Sequence, residues 1–335
     1  MLCCSNCFND NFLTAIIDGK SNSKGECDFC HTSDTSLINT EILSAYIEPL
    51  LERYELSIEE GSLISSLLKN DWNLFQQLDN ETTLKLLEDI LQEDMSGLYI
   101  PTKQENETKI LNWKEFKEEL KHVNRFFPQK SPDYEHLQTL LNYIILPQNE
   151  VPELFYRARI NIDIDIINKE EMGKPPVKIA SAGRANPLGI SYLYTASNKE
   201  TAIAEIRPHK KDSITVASFQ SSEKLIFADL RNPRKIISPF KLPEGGIADL
   251  EFLTHLGEEL SKPILPREAH LEYLSSQYLC ELIKHCGFDG VIYKSSVGDG
   301  DNYAIFFDDK LNAIETEVYI VENIQITSSR IQLSN

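Results

Sequence analysis

Two Cys-x-x-Cys pairs near the start, Cys4/Cys7 and Cys27/Cys30, constrain this 335-residue chain more than any other feature. Each pair is a knuckle, and two knuckles can present four thiolates tetrahedrally to one zinc ion. So short a segment has too little core to fold unaided, so a metal is expected as its cross-link. A zinc ribbon is therefore predicted over residues 1–35, with Cys4, Cys7, Cys27 and Cys30 as ligands. Four thiolates leave no open position for water, which makes the expected zinc structural. The intervening DGKSNSKGE is polar and glycine-containing, as a ribbon tip should be. Cys3 and His31 adjoin the ligands, and the sequence leaves open whether either replaces one. In a reducing compartment this cluster is not a disulfide framework.

Residues 36–148 read as a helical domain. Ile42, Tyr46, Leu50, Leu51 and Tyr54 recur at helical spacing, and further helices are expected at DWNLFQQL, TTLKLLEDILQED, NWKEFKEELKHVNRFF and YEHLQTLLNYIIL. Trp72, Phe75, Trp113 and Phe116 lie on the apolar faces of these helices and are expected in the core. QKSPD breaks the pattern, and PQNEVPE reads as the linker into a third domain, 149–335. From Leu154 onward the pattern changes to short β-branched runs: LFYRARI, VKIASA, SYLYTA, SITVASF, KLIFADL, DGVIYKS, NYAIFF and TEVYIVENIQI. Helices are expected between them at KETAIAEI, around IADLEFLTHLGEEL and at REAHLEYLSSQYLCELIKHC, the last burying Leu271, Leu274, Tyr278 and Leu282.

No apolar run is long enough to span a bilayer and no secretory leader is evident, so a cytoplasmic location away from membranes is expected. A net charge of -19 repels phosphate backbones and argues against nucleic acid as a partner. Residues 155–211 run the other way, with ten Lys or Arg against six acids, net +4. A patch of that size suits one small anionic ligand, or is simply a solvated basic face. The chain contains no G-x-G-x-x-G after a strand, no P-loop, no H-E-x-x-H and no G-x-S-x-G, which excludes the common nucleotide and hydrolase sites. Ribonuclease activity in the helical part lacks an Arg-His dyad to support it.

What remains is an ordered series. Tyr156-Arg157-Ala158-Arg159 is followed by Gly183-Arg184-Ala185-Asn186-Pro187-Leu188-Gly189, then Tyr192-Leu193-Tyr194-Thr195-Ala196 and a helix ending in Glu205. Later come Asp289-Gly290-Val291-Ile292-Tyr293-Lys294-Ser295-Ser296 and Asp301-Asn302-Tyr303-Ala304-Ile305-Phe306. The series resembles the RES domain, over roughly residues 154–320. The resemblance assigns the family's arginine to Arg157, its tyrosine to Tyr194, its glutamate to Glu205 and its serine to Ser295, with Ser296 as an alternative. It adds Arg184, Asn186 and Asn302 as binding residues alongside Arg157, Tyr194 and Ser295. Ala185 departs from the usual tryptophan, and Lys294 stands where proline is frequent. The N-terminal half is similar to a HEPN-type domain that precedes RES domains, with a D-W-x-L-F segment at Asp71–Phe75.

The resemblance implies an α+β chain: a zinc ribbon and helical domain, then a mixed α/β RES domain with an ADP-ribosyltransferase-like sheet core. It also implies an enzyme that consumes NAD as a toxin restrained by an antitoxin or other inhibitor. Cleavage of the nicotinamide-ribose bond would make it an NAD glycohydrolase or phosphorylase, or an ADP-ribosyltransferase, as water, phosphate or a protein is the acceptor. The residue types suit that chemistry. A carboxylate stabilises oxocarbenium character on the ribose, which points to Glu205, although a glutamate at a helix end is also a common solvated residue. Arginine forks match phosphates, which favours Arg157 and then Arg184, although a strand arginine can also close a structural ion pair. Tyr194 could stack on nicotinamide and bond the ribose, or be a half-buried strand aromatic. The competing reading is a catalytically dead regulatory module with a zinc-stabilised sensor half; a homo-oligomer is compatible with either.

Overall fold

The computed structural model describes residues 1–102, 106–129, 133–162, 166–242, 246–265 and 267–325. The chain divides into two compact units, Met1–Glu115 with Asn232–His255, and Phe116–Arg231 with Leu256–Asn335. The α+β expectation holds.

The first unit opens with a three-stranded sheet ordered β1-β3-β2, from Leu2–Cys3, Thr35–Asn39 and Ser23–Gly25 respectively. Helix α1 (Asn11–Lys20) lies within this ribbon, started by Asp10, whose carboxylate accepts from the Phe12 and Leu13 amides. The expected ribbon tip is thus partly helical. Helix α2 (Ser44–Leu51) follows; Tyr54, expected on its face, instead begins β4 (Tyr54–Ser57). β4 joins β5 (Ser62–Leu63) and β6 (Leu98–Pro101) in a second small sheet, order β4-β6-β5, that helical periodicity did not foretell. Gly61 permits it: its φ is +151°, and a Cβ there would lie 2.7 Å from the Tyr99 carbonyl oxygen. Helix α3 (Ile64–Trp72) ends where Asn73 turns left-handed, so DWNLFQQL is only half helical. Helix α4 (Asn80–Leu91) is capped by Asp79, which accepts from the Thr82 amide.

Helix α5 (Asn106–His122) carries Trp113 and Phe116, and α6 (Tyr134–Leu141) follows. Trp72, Phe75, Trp113 and Phe116 are all buried, although Phe75 lies beyond the end of α3 with φ +57°. The QKSPD break falls mostly on residues 130–132, outside the described residues.

The second unit is organised by a seven-stranded sheet. Its strands are β7 (Phe155–Ile160), β8 (Leu193–Ala196), β9 (Ser213–Ser221), β10 (Phe227–Asp229), β11 (Gly290–Lys294), β12 (Asp301–Ile305) and β13 (Leu311–Ile320), in the order β10-β11-β12-β8-β7-β9-β13. VKIASA, expected as a strand, contains a 3-10 turn at Val177–Ile179; flanking prolines and absent strand partners explain the difference. One face of the sheet buries Phe155, Leu193, Phe219, Phe227, Ile292, Tyr303 and Ile305. The other packs Ala158, Ala196, Ile214 and Val216 against α7 (Lys199–Glu205). Short α8 (Pro233–Ile236) belongs to the first unit, α9 (Gly246–Ser261) crosses the division, and α10 (Ala269–Glu272) and α11 (Leu274–His285) follow. The face of α11 that is most deeply buried is Ser275, Ser276, Leu279, Cys280 and Ile283, while Leu274, Tyr278 and Leu282 are half-buried. The serines displace the leucines because Ser276 and Gln277 donate to the Arg184 and Gly183 carbonyls, 2.6 and 2.8 Å.

Candidate active site and metal site

The pairing of β7 determines where the site lies. β7 pairs with β9 over six residues but meets β8 at one pair only, Tyr156 with Ala196. Where the two strands part, the Arg157 side chain stands in for the missing ladder, its Nη1 donating to the Tyr194 carbonyl at 3.0 Å. A cavity of about 270 Å³ opens there, lined among others by Tyr156, Arg157, Tyr194, Thr195, Glu205, Tyr293 and Asn302. Arg157 Nε and Thr195 Oγ1 are buried with no hydrogen-bond partner among the described residues. Desolvation, with the neighbouring Arg159 cation, pushes Arg157 down to about 10, which leaves it charged at neutral pH.

Glu205 is the last residue of α7. Asn198 caps the helix by accepting from the Thr201 amide at 2.7 Å, and Arg207 ends it with φ +48°. The β11–β12 turn reaches across to it. Ser295 Oγ and Asn302 Nδ2 both donate to Glu205 Oε1, each at 2.6 Å, and Glu205 Oε2 has no hydrogen bond among the described residues. The Ser295 hydroxyl itself accepts from the Val297 and Gly298 amides, 3.1 and 2.9 Å. The Ser295 hydroxyl thus gives its proton to the carboxylate and takes both of its accepted bonds from the turn. The turn lies so close to α7 that a Cβ on Gly300 would meet the Ser197, Asn198 and Thr201 side chains at 2.6 Å.

Tyr194 contributes its ring to the cavity and keeps its hydroxyl for the protein. That hydroxyl donates to Asn186 Oδ1 at 2.6 Å and accepts from the Ala185 amide at 3.0 Å. Asn186 is buried and donates to the Ser181, Pro187 and Ile190 carbonyls, so it staples its own loop. Arg184 donates to the Lys262 carbonyl at 2.6 Å and lies over the Tyr273 ring. Arg157, Tyr194, Glu205, Ser295 and Asn302 therefore gather, whereas Arg184 and Asn186 are engaged away from the cavity walls. Lys294, the departure from proline, pairs with Asp301 at 2.7 Å.

Sequence reasoning missed the ion group beneath the turn. Arg231 grips Asp229 through Nε and Nη2 and reaches Asp301 Oδ2 through Nη1 at 2.9 Å. Asp229 is 1% exposed, and Asp301 immediately precedes Asn302. Arg231→Met leaves a buried carboxylate unpaired and is expected to cost about 3–5 kcal/mol, read from the urea midpoint. An unchanged midpoint would refute the group's importance.

In the first unit, the sulfurs of Cys4, Cys7, Cys27 and Cys30 all lie within 4.8 Å of one another. Cys4–Cys30 and Cys7–Cys27 are 3.3 and 3.5 Å apart, near the roughly 3.8 Å edge of a tetrahedral zinc-thiolate site. The donor set fits a metal. Cys3 is buried but outside the group, and His31 turns to Glu26 at 3.6 Å. Among the described residues, no helix is long and apolar enough to cross a membrane.

Comparison with known proteins adds the following. The RES domain family model matches residues 155–327, and that of HEPN/RES N-terminal domain 1 matches residues 20–134. No curated protein matches. A solved structure, the MbcT-MbcA toxin-antitoxin complex of M. tuberculosis, contains a chain 12% identical to this one, with 55% of this chain and 92% of that chain covered and a TM-score of 0.34. The RES match takes in more than half of the sequence, with Arg157, Tyr194, Glu205, Ser295 and Asn302 all inside it, and so this chain belongs to the RES-domain family, whose toxins act on NAD.

Proposed function

We propose that this chain cleaves the bond between nicotinamide and ribose in NAD, with the nicotinamide half of the dinucleotide held in the cavity where β7 and β8 part. One observation carries the reading: the exposed Glu205 carboxylate, its Oε1 held by Ser295 Oγ and Asn302 Nδ2 and its Oε2 without a hydrogen bond among the described residues, stands at a cavity also lined by Arg157 and Tyr194. Arg157 takes the diphosphate side, Glu205 the ribose, and the Tyr194 ring packs on the base; Ser295 and Asn302 hold Glu205 in place. Arg184 and Asn186 shape the loop behind Tyr194.

When the glycosidic bond breaks, its electron pair goes to the pyridinium nitrogen and nicotinamide leaves neutral, so no acid need protonate it. Positive charge builds on the ribose, and the Glu205 carboxylate stabilises it. The acceptor's nucleophilic atom then bonds to the anomeric carbon, and any proton it carries passes to solvent. Water, phosphate and a protein side chain remain the candidate acceptors, and they define a glycohydrolase, a phosphorylase and an ADP-ribosyltransferase in turn.

The remaining parts belong to the same reading. Zinc in the four-cysteine group holds the ribbon (1–35) ahead of the helical domain (36–148) and the RES domain (149–335). Because NAD cleavage harms the cell that makes the enzyme, a restraining antitoxin protein is part of it, as is a cytoplasmic setting. The test is nicotinamide release from NAD, with product masses recorded with and without phosphate and with protein acceptors. Arg157→Gln is expected to raise KM about 10- to 100-fold with a smaller change in kcat, the scale of lost hydrogen bonds to a charged group. Wild-type protein inert under every acceptor overturns the proposal.

A further inference from the structure

The cavity contains a residue that the motif series does not assign. Tyr293 in β11 is opposite Asn302 in β12, which is opposite Ala196 in β8, itself opposite Tyr156 in β7. Directly opposed residues of antiparallel strands point to the same face, so these four side chains form one row across the sheet. The row has small residues in the middle and a tyrosine at each end, and all four line the cavity. Asn302 within the row donates to Glu205 Oε1, which places the carboxylate above it.

Tyr293 is 4% exposed, and its hydroxyl has no hydrogen bond among the described residues. Its counterpart Tyr194 has both of its hydroxyl bonds satisfied inside the protein, so the two tyrosines are not equivalent. Burial, helped by the nearby Glu205 carboxylate, holds the Tyr293 phenol well above its ordinary range, so it stays a proton donor. The cavity therefore presents a free donor, Tyr293 OH, and a free acceptor, Glu205 Oε2. A single hydroxyl can satisfy both at once, by donating to the carboxylate and accepting from the phenol.

Resting on the NAD reading above, we propose that Tyr293 is a specificity residue that donates a hydrogen bond to a hydroxyl of the nicotinamide-bearing ribose, the hydroxyl from which Glu205 accepts. The enzyme then discriminates against sugars lacking that hydroxyl, because the buried Tyr293 hydroxyl would be left unpaired.

The experiment compares full-length wild type and Tyr293→Phe on NAD and on NAD analogues lacking the 2′- or the 3′-hydroxyl of that ribose. Phe keeps the buried ring and removes only the donor. The variant is expected to lose about 10-fold in kcat/KM on NAD and to match wild type within about 2-fold on the analogue missing the hydroxyl it reads. Equal losses on NAD and on both analogues would mark Tyr293 as merely structural and overturn the inference, as would full activity of the variant on NAD. If wild type leaves NAD intact, the proposed function fails, and calorimetric binding of nicotinamide riboside decides Tyr293 separately. Binding about 10-fold weaker in the variant supports the residue's role; equal binding, or none to wild type, overturns it.

Discussion

Glu205→Gln is expected to lower kcat for nicotinamide release by about 10²- to 10³-fold while the thermal midpoint stays where it is. The two effects separate because the side chain's oxygens do different work. Oε1 receives Ser295 Oγ and Asn302 Nδ2, and a glutamine carbonyl oxygen can still accept both. Oε2 has no hydrogen bond among the described residues, and there the substitution puts an amide nitrogen in place of a carboxylate oxygen and removes the charge. Ground-state binding loses the hydrogen bond from the ribose hydroxyl, about 10-fold in KM, whereas stabilisation of the positively charged sugar is lost as well, so the larger change falls on kcat. Steady-state kinetics beside a melting curve would check this. A variant with wild-type kcat would remove Glu205 from the chemistry, and one that melts far lower would make the residue chiefly structural.

Loss of the metal cross-link should have the largest effect on folding. Cys27→Ser, or stripping with a strong chelator, is expected to unfold the N-terminal ribbon. Structural zinc sites contribute about 10–16 kcal/mol of apparent binding energy, as much as a whole domain's stability. The damage should spread, because Phe8 follows Cys7 in the chain, packs on Phe75 at 5.5 Å between ring centroids, and accepts the Phe75 amide through its carbonyl. Elemental analysis should find one zinc per chain in wild type and less in the variant, and limited proteolysis should then cut within the first forty residues. A metal-free wild type that resists proteolysis would overturn the assignment.

How much of this was legible in the sequence depended on the kind of signal. The cysteine spacing carried the four-sulfur group because knuckle geometry is local. Glu205 is distant in the chain from Ser295 and Asn302, and it was the resemblance of the ordered series to the RES domain that put the three together. Arg184 and Asn186 were legible as loop residues but not as residues turned towards the protein, since hydrogen-bond partners such as the Lys262 and Ile190 carbonyls leave no trace in a linear pattern. The same holds for Ser276 and Gln277, which occupy the buried face of α11 where leucine spacing predicted another, and for the Arg231 group, whose partner Asp301 is seventy residues away. The small sheet of β4, β5 and β6 was hidden because Tyr54 continues the helical spacing of α2 and only Gly61 signals the turn.

The single meeting of β7 with β8 has a mechanical consequence. The seven strands form two plates, β10-β11-β12-β8 and β7-β9-β13, riveted at Tyr156 and Ala196. Elsewhere along that seam the bond of Arg157 to the Tyr194 carbonyl spans the two, so the arginine is both a wall of the cavity and a tie across its mouth. A ligand that drew the guanidinium away from the Tyr194 carbonyl would remove that second tie and leave the two plates joined at Tyr156 and Ala196.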